Sequence, residues 1–305
     1  MKRIKKRRKR KMNNAKALTI TYLTSISLSS LNGSDKEADN ISSIKKFSRG
    51  TEEYPYGSAQ WVRRALREQL GTLGWTLSEG KAAIIAKGAA TTMQKPDIYI
   101  DDDLFGYMGT EKAEGEKKGS AIKRTSPVRV SPLISLCRYE GDLDFGTNYM
   151  GVKDKGDPNI FETEIHSGVY RGSILVELDR VGCGEGFEKD LSESEKANRV
   201  KALLDALKNL WSTGRQTRFL ADISPKFVAA SIMKVKNPIF LEMVLPQGNS
   251  IRFDLLQETV NDFKDQIIDH VLGAKKGMYE DLPSQTISIG EAFDKMKDWV
   301  EEHYL

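Results

Sequence analysis

From Leu18 to Ser29 the chain alternates between large apolar and small hydroxyl side chains, with Leu23 and Thr24 the one exchanged pair. Leu18, Ile20, Tyr22, Ile26 and Leu28 fall on one side, and Thr19, Thr21, Ser25, Ser27 and Ser29 on the other. A period of two sustained this long commits the chain to a half-buried strand, and therefore to a sheet. The hydroxyl face is narrow and leaves room for something bulky against it. Leu31-Asn32-Gly33-Ser34-Asp35 then reads as a turn, followed by a polar loop to Arg49.

The next stretch, Arg49 to Arg67, enters a helix. At about 100° per residue, Gln60, Arg63, Arg64 and Arg67 gather on one side while Val62, Ala65 and Leu66 point the other way. Ser58 is placed to cap the helix, after Tyr54-Pro55-Tyr56-Gly57. A row of guanidinium forks suits phosphate oxygens, although a solvated arginine face on a surface helix would have the same pattern.

Further along, Val128 to Leu136 reads as a strand, with Pro127 and Pro132 marking an edge or bulge. Tyr139 to His166 loses apolar periodicity and suggests a projecting hairpin or loop. Val169 to Leu178 returns to strand. Glu193 to Leu210 is a helix burying Val200, Leu203, Leu204, Leu207 and Leu210 and stopping at Ser212-Thr213-Gly214. Lys226 to Val235 and Ile239 to Leu245 read as strands, Phe253 to Leu272 as a helix and Ile289 to His303 as a final helix. GTEKAEGEKKGS (109–120) has the composition of an exposed loop inside an insertion. This order fits an α+β fold: a ferredoxin-like, RNA-recognition-like sheet, largely antiparallel, with helices on one face and insertions.

Charge must be partitioned to be informative. Residues 2–11 (KRIKKRRKRK) hold nine of the 47 basic groups and no acid, which leaves 38 basic against 43 acidic groups in the body, a net of −5. A polyanion surface in the body must therefore be a local patch. The tail suits either a salt-dependent nucleic-acid arm or a dispensable extension with Met12 as an alternative start. No apolar run approaches a membrane span, and the two cysteines, Cys137 and Cys183, fit thiols of a reducing compartment, so a cytoplasmic location is expected.

Several chemistries find no support. His166, His270, His303, Cys137 and Cys183 are scattered singly, without zinc spacing, and no GxSxG is present. Gly182-Cys183-Gly184-Glu185-Gly186 lacks dinucleotide-binding spacing and reads as a flexible loop. Asp101-Asp102-Asp103 reads as a solvated acidic turn more readily than a hard-cation site. No cofactor or metal is expected. Basic residues recur instead at the joints between regular elements: Lys45, Lys46 and Arg49; Lys123-Arg124 and Arg129; and Gly214-Arg215-Gln216-Thr217-Arg218, where glycine permits close backbone approach to phosphate. Together these joints predict a polymer held across one side of a sheet.

The segments SLNGSD (30–35), YPYGSAQWVRRALR (54–67), DLFGYM (103–108), RTSPVRVSPLISL (124–136), SILVELDRVG (173–182) and STGRQTRFLADISPKFV (212–228) resemble the backbone subunit of the CRISPR Cascade complex, family seven of the Cas proteins, in its type I-B or DevR branch. The resemblance implies a hand-shaped, non-catalytic protein that stacks in several copies along a guide RNA (crRNA). The guide pairs with a target DNA strand, and other Cascade subunits complete the complex, with no membrane involved.

By resemblance, residues 1–16 are a basic tail, 17–71 the first strand and arginine helix of a palm, 72–122 helical fingers, 123–138 palm, 139–166 a thumb, and 167–305 palm with C-terminal helices. Asn32, Ser58, Gln60, Arg63, Arg64 and Arg67 would grip the guide, with Lys45, Lys46, Arg49, Arg124 and Arg129 beside them. Arg215, Gln216 and Arg218 would form a second grip, and Tyr149 and Met150 a thumb wedge or an internal packing pair. The chain lacks the aromatic consensus of ordinary RNA-recognition motifs, which argues for backbone grip over base stacking. Two further readings are an RNA-guided endoribonuclease using Asp35, with Asp39 in the same loop, and a basic RNA-binding factor that works alone.

Overall fold

A computed structural model describes residues 12, 14–33, 41–78, 92–110, 121–148, 159–211 and 218–305. The first strand, β1 (Ala17–Ser29), is followed by β2 (Ile41–Ser42), β3 (Lys46–Arg49), β4 (Glu52–Gly57) and helix α1 (Ala59–Thr72). The short helix α2 (Ile100–Phe105) precedes β5 (Tyr107–Thr110), β6 (Ala121–Arg124), β7 (Val128–Val130), β8 (Leu133–Ser135), β9 (Asp142–Asn148) and the 19-residue β10 (Asn159–Glu177). Helix α3 (Glu193–Lys208), β11 (Phe227–Met233), β12 (Pro246–Gln247), β13 (Ser250–Ile251), α4 (Phe253–Asp262), β14 (Ile267–Ala274), β15 (Ile287–Ser288) and α5 (Ile289–Tyr304) complete the chain.

Among the described residues eleven strands form one sheet, in the order β15-β14-β11-β1-β10-β8-β4-β3, with β2, β7 and β9 also on β10. Pairing is antiparallel except for β14–β15 and β10–β2. The fold is thus the expected α+β type. β1 lies at the centre, between β10 (Ala17↔Glu177) and β11 (Ala17↔Met233). Its Tyr22 ring packs on Gly172 directly opposite, where an added Cβ would stand 2.6 Å from the ring.

β1 is buried on both faces from Ala17 to Thr24, so the open hydroxyl face expected for it is closed at Thr19 and Thr21 and exposed only at Ser25 and Ser27. Leu18, Ile20, Tyr22 and Ile26 join one core beneath α1, α2, α3 and α5. On the other face Leu23 joins a second core with Phe227, Phe240, Val244 and Leu256, which puts α4 on the side expected to be free of helices. Thr21 Oγ1 meets Ser173 Oγ at 2.8 Å, so one pair of the small hydroxyls is bonded inside the sheet.

The covering segment accounts for two further corrections. Ile239 to Leu245 is not a strand. Pro238 starts a coil of short turns, with Leu241 N–H donating to Pro238 O and Met243 N–H to Phe240 O, that tucks Phe240 and Val244 beneath the sheet. The helix expected from Phe253 to Leu272 ends at Asp262. From Ile267 onward the chain pairs with β11 as β14, because tertiary pairing outweighs a local helical period. α3 likewise stops at Lys208, short of Ser212. Pro132 does break Val128–Leu136, into β7 and β8, both of which pair with β10. Within 139–166, β9 and β10 form a hairpin running from Asp142↔Ile165 to Asn148↔Asn159. Met12 lies in the core at 2% exposure, and its carbonyl is 2.9 Å from His303 Nδ1. The basic segment 2–11, the 111–120 stretch, Asp35 and Asp39 lie outside the described residues.

The acidic triplet is neither a solvated turn nor a site open to a cation. Asp101, Asp102 and Asp103 are buried at the start of α2. Asp101 accepts from Ser78 N–H at 2.9 Å and Asp102 from Lys95 N–H at 2.9 Å. Asp103 accepts from Arg124 at 2.5 Å, Arg199 Nη1 at 2.9 Å and Gly182 N–H at 3.0 Å. Arg124 also donates to the carbonyls of Asp103, Arg180, Cys183 and Glu185. The glycine loop 182–186 is therefore a cradle built around a guanidinium. Gly182 reaches Asp103 in a left-handed conformation (φ +69) that other residues rarely adopt.

Asp103→Ala would leave two guanidiniums buried without their carboxylate, at a cost of about 3–5 kcal/mol. Urea unfolding should show the midpoint falling with an unchanged m value; a loss within the ~0.5 kcal/mol typical of surface changes would refute the structural role.

Candidate nucleic-acid interface

The start of α1 is fixed by three contacts. Ser58, extended at φ −62 and ψ 154, accepts from Trp61 N–H at 3.2 Å, as expected of an N-cap. Asn32 Oδ1 accepts from Ser58 N–H at 2.9 Å, tying the end of β1 to the helix, and Lys45 N–H donates to Asn32 O. Gly57 leaves space for the Trp61 ring. Trp61, Val62, Ala65, Leu66, Gln69 and Leu70 are buried, so the apolar face follows the sequence pattern.

On the other side Gln60 and Arg64 are exposed, whereas Arg63 and Arg67 are half-buried. Arg64 pairs with Glu68 at 2.9 Å across one helical turn. Arg67 Nε reaches Asp101 at 3.3 Å and its guanidinium lies over the Phe105 ring at 5.0 Å, so Arg67 does not simply face solvent. Arg129, on β7, pairs with Glu177 at 2.7 Å.

Arg63 differs from these. Its Nε is enclosed without a hydrogen-bond partner. Burial, and then the like charges of Arg67 and Arg129, push its pKa below the usual arginine value. Of these three arginines only Arg67 and Arg129 have a carboxylate among the described residues, Asp101 and Glu177 respectively. Among the described residues no acceptor meets Arg63 Nε, and an oxyanion has the charge and the acceptor geometry that a guanidinium takes.

The other predicted residues divide. Arg124, expected at the interface, has a side chain only 1% exposed and is fully engaged in the Asp103 cradle. It is a structural residue, and the cause is the burial of its whole fork. Lys46 is drawn to Glu164 at 2.8 Å and Glu53 at 3.6 Å, with its ammonium 4.3 Å from the Tyr139 ring centroid. Lys45 is half-buried beside Asn32. Arg49 is exposed, and its guanidinium lies 5.4 Å from the Tyr54 ring. Arg218 sits at the hairpin, bonded to Asp144 and to Thr163 Oγ1 and lying against Phe161. Arg215, Gln216, Tyr149 and Met150 lie outside the described residues.

The counter-ions Asp101 and Glu177 were missed in the sequence. Glu177 closes a strand and gathers Arg129, Lys236 at 2.9 Å and Arg180 at 3.3 Å; against the cost of burial, Lys236 and Arg129 hold its pKa down. An acidic residue ending the run Ile174-Leu175-Val176 was the only signal. Among the described residues no group of three or more His, Cys, Asp or Glu side chains could hold a metal ion.

This sheet, with its covering helices and hairpin, is the fold of subunits of CRISPR RNA-guided surveillance complexes. A chain of one such complex superposes with a TM-score of 0.55 at 16% identity, covering 92% of this chain and 98% of that one. A chain of a complex described as pre-nicking superposes with a TM-score of 0.59 at 14% identity, covering 93% and 99%. Residues 20–243 match the family of CRISPR-associated negative auto-regulator DevR/Csa2, and the protein belongs to that family. The CRISPR-associated protein Cas7/Cst2/DevR of Myxococcus xanthus (strain DK1622) is 28% identical over 229 residues, 69% of this chain and 70% of that protein. The aCascade subunit Cas7/Csa2 2 of Saccharolobus solfataricus is 26% identical over 160 residues, 48% and 46% of the two chains.

The two half-buried arginines of α1 should behave oppositely on substitution. Arg63→Met removes a desolvated, unpaired guanidinium and should leave the urea midpoint unchanged or raise it. Arg67→Ala deprives buried Asp101 of its charge partner and should lower stability by about 1–3 kcal/mol. Equal losses in both would contradict the assigned environments.

Proposed function

We propose that this protein is a non-catalytic backbone subunit of a Cascade complex that binds guide RNA through α1 and its surroundings. The observation carrying this reading is Arg63 on α1, its Nε enclosed with no partner among the described residues and its neighbour Arg67 one turn along the same face. Asn32 and Ser58 fix the loop at the helix entrance, and Gln60 and Arg64 extend the exposed face. Family membership and the shared fold support the same reading.

The β9–β10 hairpin is proposed as the thumb. Leu143, Phe145 and Ile160 share one of its faces by register and are 45–60% exposed, an apolar stripe that suits a neighbouring copy along the guide. Arg218 at its base is proposed as the described part of the second grip, with Arg215 and Gln216 beside it and Tyr149 and Met150 as the wedge. The palm comprises 17–71, 123–138 and 167–305, and the fingers 72–122. Target DNA would be recognised by pairing to the guide. No described helix is long and apolar enough to cross a membrane, and the cytoplasm is the proposed location.

Arg63→Ala/Arg129→Ala should weaken binding to guide RNA and lower the slope of log K against log salt by roughly 1.4, from about 0.7 per lost phosphate contact. On RNAs of increasing length, sedimentation should show mass rising in steps of one subunit. A wild-type protein that remains one copy per RNA at every length would overturn the backbone assignment, and periodic metal-dependent cuts in a matched RNA, abolished by Asp35→Ala, would overturn the non-catalytic one.

A further inference from the structure

A second cationic site lies on the sheet face opposite α1, in a cleft of about 620 Å³ between the β3–β4 hairpin and the 242–252 segment. Arg49, Tyr54, Ile134, Arg171, Glu242 and Arg252 line it. That volume is in the range of small-molecule pockets. The strand register explains how these residues meet. Arg171 pairs with Ile134, Ile134 with Tyr56, and Tyr54 with Phe47, so Arg171, Ile134, Tyr56, Tyr54, Phe47 and Arg49 project from one face. Phe47 lies 5.7 Å from Tyr54 and 6.1 Å from Tyr56, ring centroid to ring centroid, so the Tyr54 ring that lines the cleft is backed by a small aromatic cluster.

Three guanidiniums face this cleft; Glu242 and Asp254 pair with two of them, and Glu52, opposite Arg49 in register, accepts from the Tyr54 hydroxyl at 2.9 Å. Arg252 pairs with Asp254 at 2.6 Å. Arg171 is buried and bonded to Glu242, whose own side chain is 61% exposed. Arg49 forms no ion pair among the described residues, and it pushes the Arg171 pKa down in addition to the effect of burial. Glu242 is thus an exposed, movable counter-ion on a fixed, buried cation. A phosphate entering the cleft can take its place, which releases a carboxylate into water where its solvation is favourable.

Arg129 pairs in register with Leu175, four residues along β10 from Arg171 and on the same face, a separation of roughly 13 Å at about 3.3 Å per residue. We infer that this cleft is a second nucleic-acid site: it holds a backbone phosphate on Arg49, Arg171 and Arg252 in exchange for Glu242, and stacks a base on the Tyr54 wall. Guanidinium forks beside exposed ring faces are the chemistry by which strands are held without regard to sequence. Stacking is thereby added to the backbone grip that the missing aromatic consensus had suggested. The inference rests on the guide-binding reading and adds Arg171, Arg252, Glu242 and Tyr54 to it.

The test measures affinity of the full chain for single-stranded RNA, alone and annealed to complementary DNA, across a salt series. Arg49→Ala/Arg252→Ala should lose roughly tenfold in affinity with an unchanged melting temperature, and Tyr54→Leu should lose several-fold with little change in salt slope. Glu242→Gln removes the competing carboxylate and should tighten binding by roughly threefold, a gain that misfolding cannot mimic. A deficit with RNA alone assigns the phosphate to the guide, and one confined to the annealed arm assigns it to the paired strand. Cleft variants that bind like wild type, while Arg63→Ala/Arg129→Ala loses affinity, would overturn this inference and leave the guide-binding reading standing. Wild-type protein that binds neither form would overturn both. Displacement of the RNA by polyglutamate at equal charge, with Tyr54→Leu silent, would assign the cleft to acidic protein and overturn it as a nucleic-acid site.

Discussion

The carboxylate of Asp103 sets the geometry on which the helix-covered side of the sheet depends. It receives Arg124 from the segment leading into β7, Arg199 from α3 and the Gly182 amide from the loop after β10. Each donor comes from a different part of the chain, so one buried acid fixes the positions of three elements around α2. Burying two guanidiniums is tolerable only because every fork is occupied: Arg199 also donates to Pro96 O and Asp97 O, much as Arg124 uses the carbonyls of 180–185. α2 in turn presents Asp101 and Phe105 to Arg67. The electrostatics of the candidate interface are therefore set partly by residues that never reach the surface.

The same arginine chemistry is used in two opposite ways. Arg124 and Arg199 have full sets of acceptors and hold the fold. Among the described residues Arg63 and Arg49 pair with no carboxylate. Solvation separates the two sets: a buried guanidinium must find its partners within the protein, whereas an exposed or half-buried one can wait for a ligand. A body carrying more acidic than basic groups can still present cationic sites, because much of its acid is spent on internal partners.

Much of the fold was legible in the residues. β1, α3 and α5 were visible because their apolar periods are strict and their ends carry caps, such as Ser288 with Glu291 at the start of α5. The cap at Ser58 and the apolar face of α1 were legible for the same reason. What was not legible depended on partners distant in sequence. Lys123-Arg124 looked like a phosphate-seeking cluster because nothing local shows that Asp103 and the 180–185 carbonyls would surround Arg124. β14 was hidden inside an apparent helix because its strand character comes from pairing with β11. The hydroxyl face of β1 looked open because the segment that covers its sheet, with Phe240 and Val244, lies more than two hundred residues further along the chain.

β10 joins the hairpin to the body as a single uninterrupted element. Its Asn159 end lies at the far tip of the β9–β10 pair, and its Glu177 end carries the counter-ion of Arg129. At about 3.3 Å per residue it spans roughly 60 Å. Its pairing with β1 shifts register once, between Gly168 and His166, where the hairpin half leaves the central sheet. The arm of the hairpin and the counter-ion of Arg129 are therefore parts of one strand, so a substitution that shifts the register of β10 would disturb both at once.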